Sequence, residues 1–141
     1  MDEPQAWIIV ADRTNMETCT KLGIYGLNHG SQLTKMKVGD KLVAYIRKET
    51  TFSGVGEVTK EYYLDNKQVF EGGLFPNRVG IKLNLLPKEK AINAWGMTDN
   101  LEFSNGKLNW QGALAGGMRK IPLSDYKKIE AALSQQMATT R

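Results

Sequence analysis

The chain has 141 residues, 41% of them hydrophobic and 24% charged, with a net charge of +4; this is the size and make-up of one globular domain and excludes a disordered or fibrous chain. No stretch approaches the roughly 20 apolar residues of a spanning helix, and Met1-Asp2-Glu3-Pro4 lacks a signal peptide's basic start, so the expectation is a cytoplasmic protein with no membrane partner. A single cysteine, Cys19, and a single histidine, His29, exclude a disulfide framework and a Cys/His zinc site, so neither metal nor cofactor is expected.

Trp7-Ile8-Ile9-Val10-Ala11 is an unbroken β-branched and aromatic run, which predicts a strand buried on both faces. Thr14-Asn15-Met16-Glu17 has capping-box spacing and predicts a helix that runs to about Leu22 and stops at Gly23. Cys19 is then a small residue on that helix. Ile24-Tyr25-Gly26-Leu27 leads into a polar loop, and Gln32 to Met36 forms a helical turn. After the turn Val38-Gly39-Asp40, residues 41–47 read as the second strand. The third, over 52–59, alternates and puts Gly54 and Gly56 on one face, which predicts a bend or the close approach of another group.

Gln68-Val69-Phe70 reads as a short helix and residues 72–76 as a loop. Arg78 to Asn84 alternates clearly and predicts a strand, whereas 88–95 has no dominant pattern. Thr98-Asp99-Asn100-Leu101 resembles a helix start, Asn105-Gly106 a tight turn, and 110–117 a short helix or irregular segment. Met118 to Ile121 is a last strand. A terminal helix follows, capped by Ser124, with Tyr126, Ile129 and Leu133 as its apolar stripe. Alternating strands favour a curled, mostly antiparallel sheet, so the fold class is α+β and barrel-like.

The charge is uneven. Lys35, Lys37, Lys41, Arg47 and Lys48 crowd one segment, which suits a phosphate-bearing partner. Catalytic motifs are missing. Gly54-Val55-Gly56 lacks the third glycine of a dinucleotide fingerprint, because Thr59 stands there, and the segment reads as strand. His29 lies in a loop-like string without a nucleophile elbow. Phe75-Pro76-Asn77-Arg78 is a turn into a strand, with Arg78 able to hold phosphate. Tyr25 and Trp110, each beside glycine or amide residues, are the aromatics placed to wall a flat pocket.

The order of Trp7-Ile8-Ile9-Val10, Ile24-Tyr25-Gly26-Leu27, Lys37-Val38-Gly39-Asp40-Lys41, Gly54-Val55-Gly56-Glu57-Val58, Phe75-Pro76-Asn77-Arg78-Val79 and Met118-Arg119-Lys120-Ile121-Pro122 resembles the EVE domain family over nearly the whole chain. The resemblance implies a single domain over 1–141 with a PUA-like bent, mostly antiparallel β-barrel and peripheral helices, related to the YTH readers of methylated adenine in RNA. It implies a non-catalytic protein that binds a modified nucleobase of RNA or DNA in an aromatic-lined pocket, as a monomer or weak dimer. Tyr25 occupies the place of the stacking aromatic, usually tryptophan in the related readers. Asn15 matches a polar position facing the pocket, Trp110 the tryptophan before the final strand, and Arg119 the arginine of the closing motif. Tyr25 and Trp110 are thus expected to line one concave site, with Gly26 admitting the ligand and Asn15 at the polar end. Lys35, Lys37, Lys41 and Arg78 are the expected phosphate contacts. Two other functions stay open at this point: a nucleoside- or metabolite-handling enzyme of the PUA-like group, and an interaction module with a vestigial pocket.

Overall fold

The computed structural model describes residues 3–105, 110–114 and 116–138. The predicted first strand, β1 (Ala6–Ala11), is buried along its length, and the alternation of its side chains explains why it tolerates no polar residue. Trp7 and Ile9 enter one hydrophobic core, and Ala6, Ile8 and Val10 enter another on the opposite face. Helix α1 (Arg13–Leu22) follows at once. Its cap is Asp12 and not Thr14: Asp12 has an extended backbone, and its Oδ1 accepts from the Asn15 N–H at 2.9 Å. The aspartate takes the cap two residues early, so Thr14 and Glu17 fall inside the helix. Gly23 ends it in the left-handed region (φ 72°), its N–H donating to the Cys19 carbonyl.

The remaining strands are β2 (Ile24–Leu27), β3 (Lys41–Ile46), β4 (Thr51–Leu64), β5 (Asn77–Leu85), β6 (Ile92–Asn93) and β7 (Met118–Ile121), followed by α2 (Leu123–Ala138). They form one sheet in the order β2-β5-β4-β3-β1-β7, with β6 paired to the start of β4. Every pairing is antiparallel except β1 with β3. The 14-residue β4 shifts register against β5 after Val58 and again after Lys60, and such bulges bend and twist a strand. The result is the curled PUA-like half-barrel expected from the sequence. The group that approaches the β4 glycines is the β5 backbone: a Cβ on Gly56 would stand 2.0 Å from the Lys82 carbonyl oxygen.

Three local expectations change, and one ambiguous stretch is settled. Gln68 to Phe70 is an irregular loop rather than a helix, because its polar groups bond within the loop: the Gln68 amide donates to the Phe70 and Gly73 carbonyls. Residues 98–105 are turns, with the N–H groups of Glu102 and Phe103 donating at 2.7 and 3.0 Å to the buried Asp125 carboxylate. Helix α2 starts one residue before its expected cap. The Pro122 carbonyl accepts from Asp125 and Tyr126, which places Ser124 in the first turn. Residues 88–95, without pattern in the sequence, fall across two 3-10 turns, Lys88–Lys90 and Ala94–Met97, on either side of β6. The expected Asn105-Gly106 turn extends outside the described residues.

The sheet separates two cores. Met16 and Cys19 of α1 pack with Trp7, Tyr25 and Val79 on one face, and Tyr126, Ile129 and Leu133 of α2 pack with Ile8, Tyr45 and Trp110 on the other.

Candidate functional site

A cavity of about 250 Å3 opens where β1 and β3 end, between α1, β2 and the loop that joins β4 to β5. Tyr25, Asn15 and Gly26 all line it, joined by Phe70 and Phe75 from the loop. Their roles differ from those expected. Tyr25 is only 2% exposed. Its hydroxyl accepts from the Val10 N–H at 3.2 Å and donates toward the carbonyls of Val10 and Gly117. Burial pushes its ionisation up, so the hydroxyl stays neutral and committed to backbone. The ring is what remains for a ligand.

Asn15 is committed as well. Its Nδ2 donates to the Glu71 carbonyl at 2.9 Å and its Oδ1 accepts from the Glu71 N–H at 3.0 Å. The side chain thus pairs with one residue's backbone as a neighbouring strand would, and ties the loop to α1. Gly26 admits the same loop: a Cβ there would lie 2.7 Å from the Phe75 carbonyl oxygen and 3.1 Å from the Phe70 ring. The group that this glycine lets close is the protein's own backbone.

Arg78 was expected to meet phosphate, and its burial forbids that. It is 1% exposed. Its Nε donates to the Phe75 carbonyl and its Nη2 to the Leu74 carbonyl, each at 3.1 Å, and Nη2 also donates to Lys67. Its Nη1 lies 3.3 Å from the Asp65 carboxylate, and the guanidinium stands 5.5 Å from the Phe70 ring centre. Opposite Gly26 in the β2–β5 register, Arg78 points inward and collects the carbonyls of a loop that has few ladder partners. That loop carries Phe70 and Phe75, packed edge to face at 5.8 Å, with Phe75 held at a positive φ of 48°.

Trp110 and Arg119 lie across the sheet from this cavity. Trp110 is buried in the second core, edge to face with Trp95, Tyr45 and Phe103 at 5.2 to 6.2 Å. Arg119 pairs in register with Ile8, whose side chain faces that core. Among the described residues, the Trp110 Nε1 and Arg119 Nε atoms are buried without a hydrogen-bond partner. The expected single site therefore divides, three residues at the cavity and two behind it.

Lys35, Lys37 and Lys41 surround a different, more open groove of about 900 Å3, together with Glu3 and Glu57. It lies at the opposite end of the parallel pair, where Ala6 faces Lys41, while the cavity lies where Ala11 faces Ile46. Five strand residues put the two about 16 Å apart. Asp40 in that groove is a structural anchor: it accepts from the Gln5 N–H, the Trp7 indole and the Lys37 N–H. The cation at the cavity is Arg47, exposed, and among the described residues its guanidinium has no hydrogen bond or ion pair.

The sequence reading missed Phe70, Phe75 and Asp12. Two phenylalanines five residues apart in a glycine-rich loop were the legible signal, since large apolar residues in such a loop need a surface to cover. At the cavity wall the Cys19 thiol is pushed up to about 12, chiefly by burial, with the Asp12 charge adding to it. A thiol that stays protonated is a poor nucleophile. Among the described residues no three of His, Cys, Asp and Glu gather to hold a metal ion, and no helix is long and apolar enough to cross a membrane.

This curled sheet with its two helices has the PUA-like fold, of the class seen in YTH domains. The chain superposes on the YTH domain of MRB1 from Zygosaccharomyces rouxii, solved with N6-methyladenosine RNA, with a TM-score of 0.71 over 94% of this chain and 88% of that one, at 14% identity. The Pho92 YTH domain, solved with m6A, gives 0.71 at 16% identity over 94% and 85%. Within that class the chain belongs to the EVE domain family, whose model matches residues 5–132. It is 33% identical to the UPF0310 protein PH1033 of Pyrococcus horikoshii, over 90% of this chain and 97% of that protein. With UPF0310 protein PYRAB08750 of Pyrococcus abyssi it shares 29%, over 90% and 98%.

Proposed function

We propose that this protein is a non-catalytic reader that takes one modified base of a nucleic acid into the cavity between α1, β2 and the β4–β5 loop. The observation that carries this reading is the cavity itself, walled by Tyr25, Phe70 and Phe75. Its volume of about 250 Å3 lies just below the roughly 300–1,000 Å3 of drug-sized ligand pockets, which suits a base and not a whole nucleotide. A base turned out of its strand loses its stacking neighbours, and aromatic faces replace them at roughly 1–3 kcal/mol per base. The YTH-like fold supports the same reading, because solved relatives of that fold hold N6-methyladenosine RNA. A protonated Cys19 and a fully bonded Tyr25 hydroxyl favour a binding site over an enzyme.

Arg47 is the side chain that would meet the phosphate beside the inserted base. Asn15 and Arg78 serve by holding the loop, and Tyr25 by its ring. The partner is RNA or DNA, bound by a monomer or weak dimer in the cytoplasm.

The test is affinity for short single-stranded oligonucleotides that differ in one base modification. Phe75, half-buried in the loop, is the wall residue whose removal disturbs the fold least. Phe75→Ala should weaken binding of the preferred oligonucleotide by roughly 1–3 kcal/mol and leave the melting temperature nearly unchanged. Equal affinity for every modification, or an affinity that Phe75→Ala does not alter, would contradict the reading.

A further inference from the structure

The cavity's polar wall indicates which kind of base it takes, an inference that rests on the reader function above. Apart from the exposed side chains of Arg47 and Glu71 at its rim, the polar side chains around it are mostly committed. The Asn15 amide spends both ends on Glu71, and the Tyr25 hydroxyl is spent on Val10 and Gly117. Arg78 sits behind the loop with its donors on carbonyls. Asp12 is different. Its Oδ1 caps α1, while its Oδ2 accepts no hydrogen bond and meets no cation among the described residues. A carboxylate is an acceptor only, with lone pairs left over after one bond. The wall therefore keeps one strong, half-buried acceptor in reserve.

We propose that Asp12 Oδ2 selects the base, by accepting an N–H from an exocyclic amino group. The cavity then takes an amino base, of the cytosine or adenine kind, that keeps at least one amino N–H, and turns away the keto base of the same shape. An amino group satisfies the carboxylate when water leaves. A carbonyl oxygen at the same place sets acceptor against acceptor and strands both, which costs most inside a closed site. Asp12 follows β1 directly and is fixed by its own cap bond, so the free oxygen is held in place before a base arrives.

The fold allows a clean exchange at this position. Asparagine caps a helix about as well as aspartate. Because the cap needs an acceptor, Asp12→Asn must keep its Oδ1 on the Asn15 N–H and present an NH2 where Oδ2 was. The variant should therefore fold normally and reverse the choice. The probes are identical short single strands with one variable base, in amino/keto pairs of equal shape: cytosine and uracil, 5-methylcytosine and 5-methyluracil, adenine and hypoxanthine. The wild-type chain should favour the amino member of its best-bound pair at least tenfold, about the worth of a hydrogen bond to a charged group. Asp12→Asn should favour the keto member. Asp12→Ser, whose hydroxyl also caps, should lose the preference without reversing it, and it serves if the asparagine variant does not fold.

Wild-type binding with no amino preference, or the same preference in both variants, would overturn the role of Asp12 and leave the reader function standing. Failure of the wild-type chain to bind any of the strands, modified or not, would remove the reader function and this inference with it.

Discussion

The two faces of the sheet are both rich in aromatic residues, yet among the described residues the aromatics line a cavity on the front face, while the cavity beside α2 has no aromatic wall. Behind the sheet Trp110 meets Tyr45, Trp95 and Phe103 edge to face and lies buried in the second core. In front, Tyr25, Phe70 and Phe75 stand around a gap of about 250 Å3. The difference lies in what supplies the aromatics. Behind, a fully buried tryptophan is closed in by the rings of Tyr45, Trp95 and Phe103. In front, two phenylalanines ride on a loop whose backbone is tied at Arg78 and Asn15, so they are held at a distance that packing alone would close. Aromatic content does not make a pocket; an aromatic wall held open does.

The largest expected effect breaks the comparison at Trp110. Trp110→Ala should cost about 3–5 kcal/mol of stability, as large-to-small changes in a filled core do. The folded fraction should bind its oligonucleotide as before, and Trp110→Phe provides a milder version if the alanine variant does not fold. Weaker binding by well-folded Trp110→Phe would put the rear cluster back into the site.

Next in size is Arg78. Arg78→Met leaves the carbonyls of Lys67, Leu74 and Phe75 without their donor. We expect roughly 2–3 kcal/mol of lost stability by denaturant melts, since a stranded buried acceptor costs about 1–3 kcal/mol and water reaches part of this loop. Base affinity should fall as well, because the loop no longer presents Phe70 and Phe75. Loss of affinity at high salt as much as at low would separate this structural role from a phosphate contact.

A smaller effect sharpens the contrast between the cavity and the lysine groove. Arg47→Ala should flatten the dependence of log affinity on log salt by about one unit, as loss of one phosphate contact does. Removing the charges of Lys35, Lys37 and Lys41 should leave that slope unchanged, because these residues stand at the far end of β1 and β3. The reverse pattern would move the nucleic-acid path to the groove.

The smallest effect concerns the entry to α1. Arg13 forks onto Glu49 at 2.7 and 3.0 Å and also donates to the Leu86 carbonyl. The hydrogen bond from Arg13 holds the Glu49 carboxyl below its usual range. A carboxyl lowered by folding adds stability above its unfolded value and loses it as pH falls through the folded one. The wild-type chain should therefore exceed Glu49→Gln in stability near neutral pH, by about 1 kcal/mol for this part-buried pair, with the gap closing as the pH falls below the ordinary glutamate range of about 4. A gap that does not narrow at all on acidification would assign the effect to packing.

The fold was legible where the sequence has a period. The run Trp7 to Ala11, the alternation Arg78 to Asn84 and the glycine face at Gly54 and Gly56 each express a constraint that one or two neighbouring strands impose. The site was legible in part, because Tyr25, Gly26 and Asn15 sit on or beside short regular elements. What stayed hidden depends on contacts between distant residues. Arg78 looks like any arginine in an alternating strand, and only the loop carbonyls that it collects reveal it as buried. Trp110 reads as a pocket aromatic from its polar neighbours, and only the rings of Tyr45, Trp95 and Phe103, distant in sequence or loop-borne, show that it is buried in a core. Thr14 loses the cap to Asp12 because two good caps lie two residues apart, and the end of β1 decides between them.

The central claim is that the base enters between Tyr25, Phe70 and Phe75 and not among the tryptophans. Aromatic NMR signals of the protein, followed while its best-bound oligonucleotide is added, test this most directly. The account predicts large shifts for the rings of Tyr25, Phe70 and Phe75, as expected of protons facing a stacked base, and little change at the Trp110 indole. Large shifts at Trp95 and Trp110, with the three front rings unmoved, would contradict it.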